Sequence, residues 1–162
     1  MSEPKSVPRS VQTATAEMLI RRPPGEVFAA FVNPTLLRKF WLSDASGPLA
    51  PGARVRWKFM VPGAEADVVV RRFESPNHLA FDWPEGVHVD MKFAPVGDGA
   101  TRVTVAVDGF DPRKLLVQAT QTIEGFSIVL CDLKTLLESG SSANLVRDKA
   151  ELITRAMGTH KA

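Results

Sequence analysis

The sequence has few of the residues on which disulfide frameworks, metal sites and membrane spans depend. Its 162 residues include one cysteine, three histidines and no tyrosine. A lone cysteine excludes an intrachain disulfide framework and a cysteine-rich zinc site. No run approaches the roughly 18 apolar residues of a membrane helix, so no membrane span is predicted. The N-terminus, MSEPKSVPRS, lacks the apolar core of a signal peptide, and the default expectation is a cytoplasmic location.

The charge balance and the length are those of one ordinary globular domain. Lys and Arg number 20 against 18 Asp and Glu, and the basic residues are scattered, which argues against nucleic acid as the main partner. Hydrophobic residues make up 44% and charged residues 23%, so neither a disordered nor a fibrous chain fits. We expect one domain that folds alone or as a small oligomer, and a homodimer stays open.

The first part of the chain predicts a leader, one strand and two short helices. Residues 1–12 are rich in Ser, Pro and Lys without an apolar period, which is typical of a flexible leader. The segment 13–20, TATAEMLI, is compatible with a strand. Pro24 then begins one helix signal, and Asn33 followed by Pro34 provides a cap and a first-turn proline for a second.

Alternating apolar residues next predict five further strands separated by turn signals. In RVRWKF the alternation places Val55, Trp57 and Phe59 on one face. The same pattern runs through residues 79–83, 87–93 and 102–108, whereas a triple valine within 67–74 does not decide which face of that strand points inward. The sequence therefore predicts about six strands in an antiparallel meander.

A helical period replaces the alternation after residue 109. Apolar positions between 123 and 137 recur at spacings of three and four, and Gly140 supplies a stop. An unbroken helix over 112–139 would measure roughly 42 Å, longer than such a sheet can cover. We therefore expect a break or a late start near Gln118.

A shorter segment, 143–157, predicts a last helix that is less tightly docked, followed by a fraying tail. The predicted organisation is a leader over 1–12, a domain over 13–140 and a helical extension with its tail over 141–162.

No constellation of residues predicts a catalytic site or a metal centre. His88 and Asp90 share a strand face, which would suit two metal ligands or a base with its carboxylate, but a solvated surface explains the pair better. His78 falls in a predicted turn without a rigid partner. Cys131 is interpreted as a structural residue of the long helix. We expect no catalytic residue, no metal and no cofactor.

The positive signal is a set of large apolar side chains on predicted inward faces. For any one of them, filling of the core is the simpler interpretation. However, a curved sheet facing a single helix leaves a wedge that side chains cannot always close, and apolar ligands often bind in such mouths. The predicted ligand-binding residues are Trp41, Val55, Trp57, Phe59, Phe81, Trp83, Met91, Phe93, Phe126 and Leu130.

Four segments carry a resemblance to a known family; in order they are PPGEVFAAFVNPTLLRKFW, GARVRWKF, RRFESPNHLAFDW and EGFSIVLCDLKTLLESG. Together they resemble homologues of the C-terminal domain of the activator of heat-shock protein ninety ATPase, within the START-like, or SRPBCC, superfamily. The resemblance spans about Thr13 to Gly140. By position, Trp41, Trp83 and the Gly125-Phe126 pair match aromatic landmarks of the family, although Trp is more usual than Phe in the last.

This resemblance implies an α+β helix-grip fold, in which a curved antiparallel sheet surrounds a long C-terminal helix, with two short helices after the first strand. It also implies a cavity between sheet and helix, used elsewhere in the superfamily for lipids, sterols, polyketides and hormones. A role in stress response is implied by the family name alone.

Three classes of function stay open. The prediction is binding of a small apolar or amphipathic molecule, a small hydrophobic ligand, because this needs only the cavity. A chaperone-regulating interaction domain is the first alternative, although no N-terminal domain of the co-chaperones is recognised, so a chaperone partner lacks support. The second alternative is a cyclase or dehydratase acting on an aromatic or polyketide substrate. It needs polar groups converging inside the cavity, and no inward carboxylate or histidine pair is predicted.

Overall fold

The computed structural model describes residues 12–159, and the predicted leader thus lies outside the described residues except for Gln12. The elements, in chain order, are β1 (Ala14–Ile20), α1 (Pro24–Val32), α2 (Pro34–Phe40), β2 (Leu42–Ala45), β3 (Arg54–Phe59), β4 (Glu65–Glu74), β5 (His78–Asp82), β6 (His88–Val96), β7 (Ala100–Asp108), α3 (Leu115–Ser139) and α4 (Leu145–Thr159). Short 3₁₀ turns at Pro84–Gly86 and Pro112–Lys114 precede β6 and α3.

The strands form one curved, unclosed antiparallel sheet in the order β1-β7-β6-β5-β4-β3-β2. Strands β3 to β7 form the predicted meander, β2 adds to its far edge beside β3, and β1 pairs with β7. The predicted helix-grip architecture is confirmed, with seven strands rather than about six. The additional strand, β2, has the sequence LSDA, which is too short to show an alternating pattern, and its pairing with β3 fixes its place.

The apolar faces of the strands meet in one core, as the alternation predicts. Trp57, Phe81 and Phe93 are all at most 2% exposed. The structure also shows which face of β4 points inward, because Val68 and Val70 are buried. The strand then bulges before Arg72. Trp57 and Trp83, whose rings lie 6.5 Å apart between centroids, share this interior.

Helices α1 and α2 pack their apolar sides onto this face. Phe28 of α1 makes edge contacts with the rings of Phe73 and Phe93, each at 5.2 Å between centroids. Asn33 caps α2 as predicted, since its side-chain oxygen accepts a hydrogen bond from the Thr35 N–H at 2.9 Å.

Helix α3 is one continuous helix of 25 residues, about 37 Å long. It starts later than Pro112, after the 3₁₀ turn and a non-helical Lys114, so a late start is confirmed, three residues before the expected position near Gln118. The helix simply projects beyond the sheet, so that Leu116 is 77% exposed, and its buried residues begin at Phe126. The preceding turn is capped by Asp111, which accepts from the Arg113 N–H at 2.9 Å, while Gln118 Oε1 accepts from the Asp111 N–H at 3.1 Å.

The C-terminal half of α3 is fastened to the edge strand β1. Lys134 Nζ donates to the Leu19 carbonyl at 2.8 Å, and Arg22 Nε donates to the Leu137 carbonyl at 3.0 Å. Gly140, in the left-handed conformation at φ 90°, ends the helix as predicted.

A buried carboxylate fixes the turn from α3 to α4. Asp132, 1% exposed, accepts hydrogen bonds from Ser142 Oγ at 2.8 Å and from the Ala143 N–H at 3.0 Å. Helix α4 then packs along α3, with Ala150 buried between them. The sequence prediction of a last helix is two residues early at each end, and the domain limit at residue 140 stays a prediction.

We expect Asp132→Ala to lower the free energy of unfolding by about 1–3 kcal/mol, because Ser142 and the Ala143 N–H lose a buried acceptor. Asp132→Asn is the matched control, since it keeps one carbonyl oxygen and should recover part of the loss. Urea unfolding measures the stability, and hydrogen exchange across α4 should quicken in Asp132→Ala. Unchanged stability and exchange would contradict this role of Asp132.

On the outer face of the sheet, two histidines have carboxylate partners that the sequence did not predict. His78 begins β5 and its Nε2 lies 2.9 Å from both Asp90 oxygens, so the expectation that it has no rigid partner is wrong. His88 Nδ1 lies 2.6 Å from Asp82, which also accepts from Arg71. The reason is the register of β5 and β6, which places each histidine beside a carboxylate of the neighbouring strand.

Ionic contacts keep Asp82 charged. Burial, the largest single influence, raises the pKa of its carboxyl, but the hydrogen bonds from His88 and Arg71 together lower that pKa below its usual value. The two histidine–aspartate pairs thus belong to the polar outer surface of the sheet. Over residues 12–159 there is no group of three or more metal-ligating side chains.

Candidate functional site

An apolar cavity of about 250 Å³ lies where the sheet, α3 and α4 meet. The sheet contributes the end of β3, the turn that follows it and the residue after β5. The lining residues are Trp41, Phe59, Met60, Val61, Trp83, Thr122, Gly125, Phe126, Ile128, Val129, Val146, Lys149, Ala150 and Ile153. Such a site suits an uncharged aromatic or aliphatic group.

Four aromatic rings form the inner wall of the cavity. Trp83 and Phe126 stack with their centroids 5.7 Å apart and their planes inclined by 17°. Trp41 meets Phe126 edge-on at 5.5 Å, and Phe59 meets Trp83 edge-on at 6.1 Å. These contacts hold the rings in place, so that the wall is preformed.

Local backbone contacts position these rings. Trp41 follows the last residue of α2, and its N–H closes that helix on the Leu37 carbonyl at 2.9 Å. The Trp83 N–H donates to the Val87 carbonyl at 2.9 Å across the turn between β5 and β6. Behind this wall, Trp57 is wholly buried, with its centroid 5.0 Å from that of Trp41.

Gly125 is the one glycine among the described residues that line the cavity. It lies within α3, next to Phe126, and a Cβ atom built at this position would meet no atom within 4 Å. A glycine inside a helix costs about 0.5–1 kcal/mol relative to alanine. A side chain at this position would meet open space, so the packing of the protein does not require glycine here.

A single ion pair lies at the rim. Lys149 of α4 is the one ionisable residue among those that line the cavity, and its Nζ lies 2.5 Å from Glu124 Oε1 of α3. Both side chains are more than 40% exposed, so the pair contributes little to stability. It marks the water-facing edge of an otherwise apolar site.

Two indole nitrogens of the interior have no hydrogen-bond acceptor among the described residues. They are Nε1 of Trp57 and Nε1 of Trp83, both shielded from water. Because an indole N–H can only donate, each would gain from an acceptor brought to it. Trp83 lines the cavity, whereas Trp57 lies behind it.

The structure divides the ten predicted ligand-binding residues between the cavity and the solid core. Trp41, Phe59, Trp83 and Phe126 line the cavity. The remaining six pack within the core and do not line it; they are Val55, Trp57, Phe81, Met91, Phe93 and Leu130. Their role in binding stays a prediction, and their packing stabilises the wall.

Helix α4 also lines the cavity, which was not predicted from the sequence. Val146, Lys149, Ala150 and Ile153 line the cavity from this helix. Their spacings of three and four residues form a helical stripe that the sequence does show, but the segment was interpreted as a loosely docked extension. The position of the stripe next to the aromatic wall depends on the tertiary fold.

Architecture and site together define a class, the helix-grip domains with an apolar cavity between sheet and long helix. Within that class, the chain belongs to the family of Activator of Hsp90 ATPase homolog 1-like proteins, whose model matches residues 21–138. A comparison with curated proteins found no match.

Solved structures share the fold. Protein SSP2350 from Staphylococcus saprophyticus is 27% identical, with a TM-score of 0.72, over 81% of this chain and 95% of that one. The Aha1 dimer from Colwellia psychrerythraea is 18% identical, with a TM-score of 0.67, over 78% and 96%. CalU16 from Micromonospora echinospora is 18% identical, with a TM-score of 0.63, over 89% and 86%.

No helix over residues 12–159 is both long and apolar enough to cross a bilayer.

Proposed function

We propose that this protein binds a small apolar or amphipathic molecule between its sheet, α3 and α4, without transforming it. The observation that carries the proposal is the preformed aromatic wall of an apolar cavity that Gly125 also lines. Cavities of this kind, lined by aromatic side chains with few polar groups, are the usual sites of small-molecule ligands.

The volume of the cavity limits the size of the ligand. At about 250 Å³ it lies just below the roughly 300–1,000 Å³ typical of sites for drug-sized molecules. We therefore favour a compact ligand, of the size of two fused aromatic rings, over a sterol or a long-chain lipid. A polar end of such a ligand would face Lys149 and water.

Binding is favoured over catalysis because of what the lining contains. Among the described residues that form it, Lys149 is the only ionisable one, and it is paired with Glu124. The buried Asp132 is engaged by Ser142 and Ala143. General acid–base chemistry needs at least one proton-transferring group within reach of the substrate.

A small-molecule screen with a cavity-filling variant tests this function. Compact bicyclic aromatic compounds, short fatty acids and sterols are screened by thermal shift. A compound at a hundredfold excess over its dissociation constant stabilises the fold by about 2.7 kcal/mol, which should raise the melting temperature by roughly 5–10 °C. Gly125→Leu should abolish the shift, because the new side chain occupies the cavity.

The variant should fold, since nothing lies within 4 Å of the new Cβ and leucine is a better helix former than glycine by almost 1 kcal/mol. Gly158→Leu is the matched control, because this glycine of α4 also has open space but does not line the cavity. A ligand that shifts wild type, Gly158→Leu and Gly125→Leu equally binds elsewhere and contradicts the proposal.

Docking of a protein partner is the second candidate, in keeping with the family name. Exposed apolar side chains favour it, since Leu116, Leu152 and Met157 are 77%, 64% and 55% exposed. If no compound shifts the melting temperature, this candidate takes first place. A homodimer and a cytoplasmic location remain parts of the proposal.

A further inference from the structure

We propose that two copies of this chain associate through the first half of α3, with residues 115–124 packed antiparallel across a two-fold axis. This association rests on the homodimer included in the proposed function, and it assigns the surface that forms the contact. The aromatic wall of the cavity takes no part in the contact, so the dimer and ligand binding can be tested separately.

An exposed stripe, here called the α3 stripe, runs along the part of α3 that projects beyond the sheet. It consists of Leu116, Val117, Thr120 and Ile123. The three apolar members, Leu116, Val117 and Ile123, are 77%, 56% and 41% exposed. Leu116, Thr120 and Ile123 lie on one face, because spacings of four and three residues bring a helix back to nearly the same direction. Apolar side chains that are aligned in this way, rather than scattered singly, are typical of a surface that a partner covers.

The α3 stripe lies in a stretch without ionisable side chains. Residues 115–123, LLVQATQTI, contain none, whereas the exposed apolar residues of α4 lie among Asp148, Glu151 and Arg155. Charged residues are depleted at the centre of protein interfaces, because their removal from water is unfavourable. The α3 stripe therefore fits an interface with another protein chain better than α4 does.

Opposite charges at the two ends of this stretch favour a second copy as the partner. Lys114 precedes the stretch, is exposed and forms no salt bridge within residues 12–159. Glu124 follows the stretch; Lys149 Nζ lies 2.5 Å from its Oε1, and the carboxylate has a second oxygen that can accept. Antiparallel packing places the basic end of each helix beside the acidic end of the other, and a two-fold axis repeats the contact.

The apolar residues set the register of the two helices. Leu116 of each copy packs against Ile123 of the other, and the two-fold axis then passes beside Thr120, whose small side chain lets the helices approach closely. In this register position 115, next to Lys114, lies opposite Glu124 of the second copy. The contact spans about three helical turns, so the dimer belongs with the small, transient interfaces.

Sedimentation velocity over a series of protein concentrations measures the association. We expect a dissociation constant of roughly 10 µM to 1 mM, in keeping with so short a contact. Leu116→Asp puts a charge into the α3 stripe and should raise this constant about tenfold or more. The variant should fold, because Leu116 is 77% exposed and an acidic residue suits the first turn of a helix.

Leu152→Asp is the matched control, because Leu152 is 64% exposed on α4, outside the α3 stripe, and its replacement should leave the dissociation constant unchanged. A wild-type protein that stays monomeric throughout the series overturns the homodimer and this surface, while the proposed ligand binding stands. A dimer that Leu116→Asp leaves intact, or that Leu152→Asp weakens equally, overturns the α3 contact alone.

A cross-link tests the antiparallel arrangement without a disruptive substitution. In a Cys131→Ala background, which removes the native thiol, Thr120→Cys should form an intermolecular disulfide on mild oxidation because position 120 lies beside the two-fold axis. Leu152→Cys in the same background should form little dimer at the same protein concentration. Equal cross-linking at the two positions would contradict the proposed contact.

Discussion

Leu130→Ala is expected to lower the free energy of unfolding by about 2–5 kcal/mol. Leu130 lies on α3, is 0% exposed and belongs to the single apolar core between helix and sheet. Removing three carbons there leaves a cavity that its rigid neighbours cannot close, so the transfer energy and the cavity energy add. Urea unfolding followed by circular dichroism measures the loss.

The matched control is Leu116→Ala, the same substitution on the same helix. Leu116 is 77% exposed on the part of α3 that projects beyond the sheet, and its replacement should change stability by no more than about 0.5 kcal/mol. Equal effects of the two substitutions would contradict the packing of α3 described above.

Gly109→Ala is expected to destabilise the fold by about 2–6 kcal/mol. The residue has φ 87°, which costs a residue with a side chain about 1–3 kcal/mol. In addition, a Cβ atom would lie 2.0 Å from the Gly86 carbonyl oxygen, and moving that backbone adds about 1–3 kcal/mol. Denaturant unfolding measures the sum.

Gly63→Ala separates the two contributions. Gly63 has a similar φ of 82°, but nothing lies within 4 Å of its added Cβ, so only the conformational cost applies. If Gly109→Ala costs no more than Gly63→Ala, the close approach to Gly86 does not exist. Because Gly86 shares a turn with Trp83, the Gly109 variant should also weaken ligand binding.

Most strands of the sheet could be predicted from the sequence, because apolar and polar residues alternate along a half-buried strand. Val55 and Trp57 could be placed inside from RVRWKF alone. Strand β2 could not be predicted in this way, because its four residues show no alternation of apolar and polar residues. Its pairing with β3 defines it as a strand. The late start of α3 was predicted to within three residues, and its first turn begins earlier than expected because contacts of Asp111 and Gln118 hold it.

The candidate site was predictable only in part, for a different reason. Inward direction could be inferred for Phe59, Trp83 and Phe126, but whether an inward side chain meets a cavity or another side chain depends on packing across elements. Trp57 and Phe93 point inward and are fully enclosed. No local pattern distinguishes these two situations, and none shows that α4 returns to the same place.

The histidines illustrate the same limit on the polar face. His88 and Asp90 are neighbours along one strand, yet each pairs with a residue of β5 instead. Strand register determines these partners, and the register could not be inferred from the sequence alone.

Because α4 lines the cavity, binding of the proposed ligand would be thermodynamically linked to the docking of this helix. Helix α4 contacts both α3 and α2, and the Glu124–Lys149 pair and the turn at Asp132 attach it further. A ligand that contacts α4 must favour the docked state, and by reciprocity every change that weakens docking raises the apparent dissociation constant. That constant equals the intrinsic one divided by the docked fraction. On the proposed function, a change on the outer surface of α4 would therefore alter the affinity at a distance from the aromatic wall.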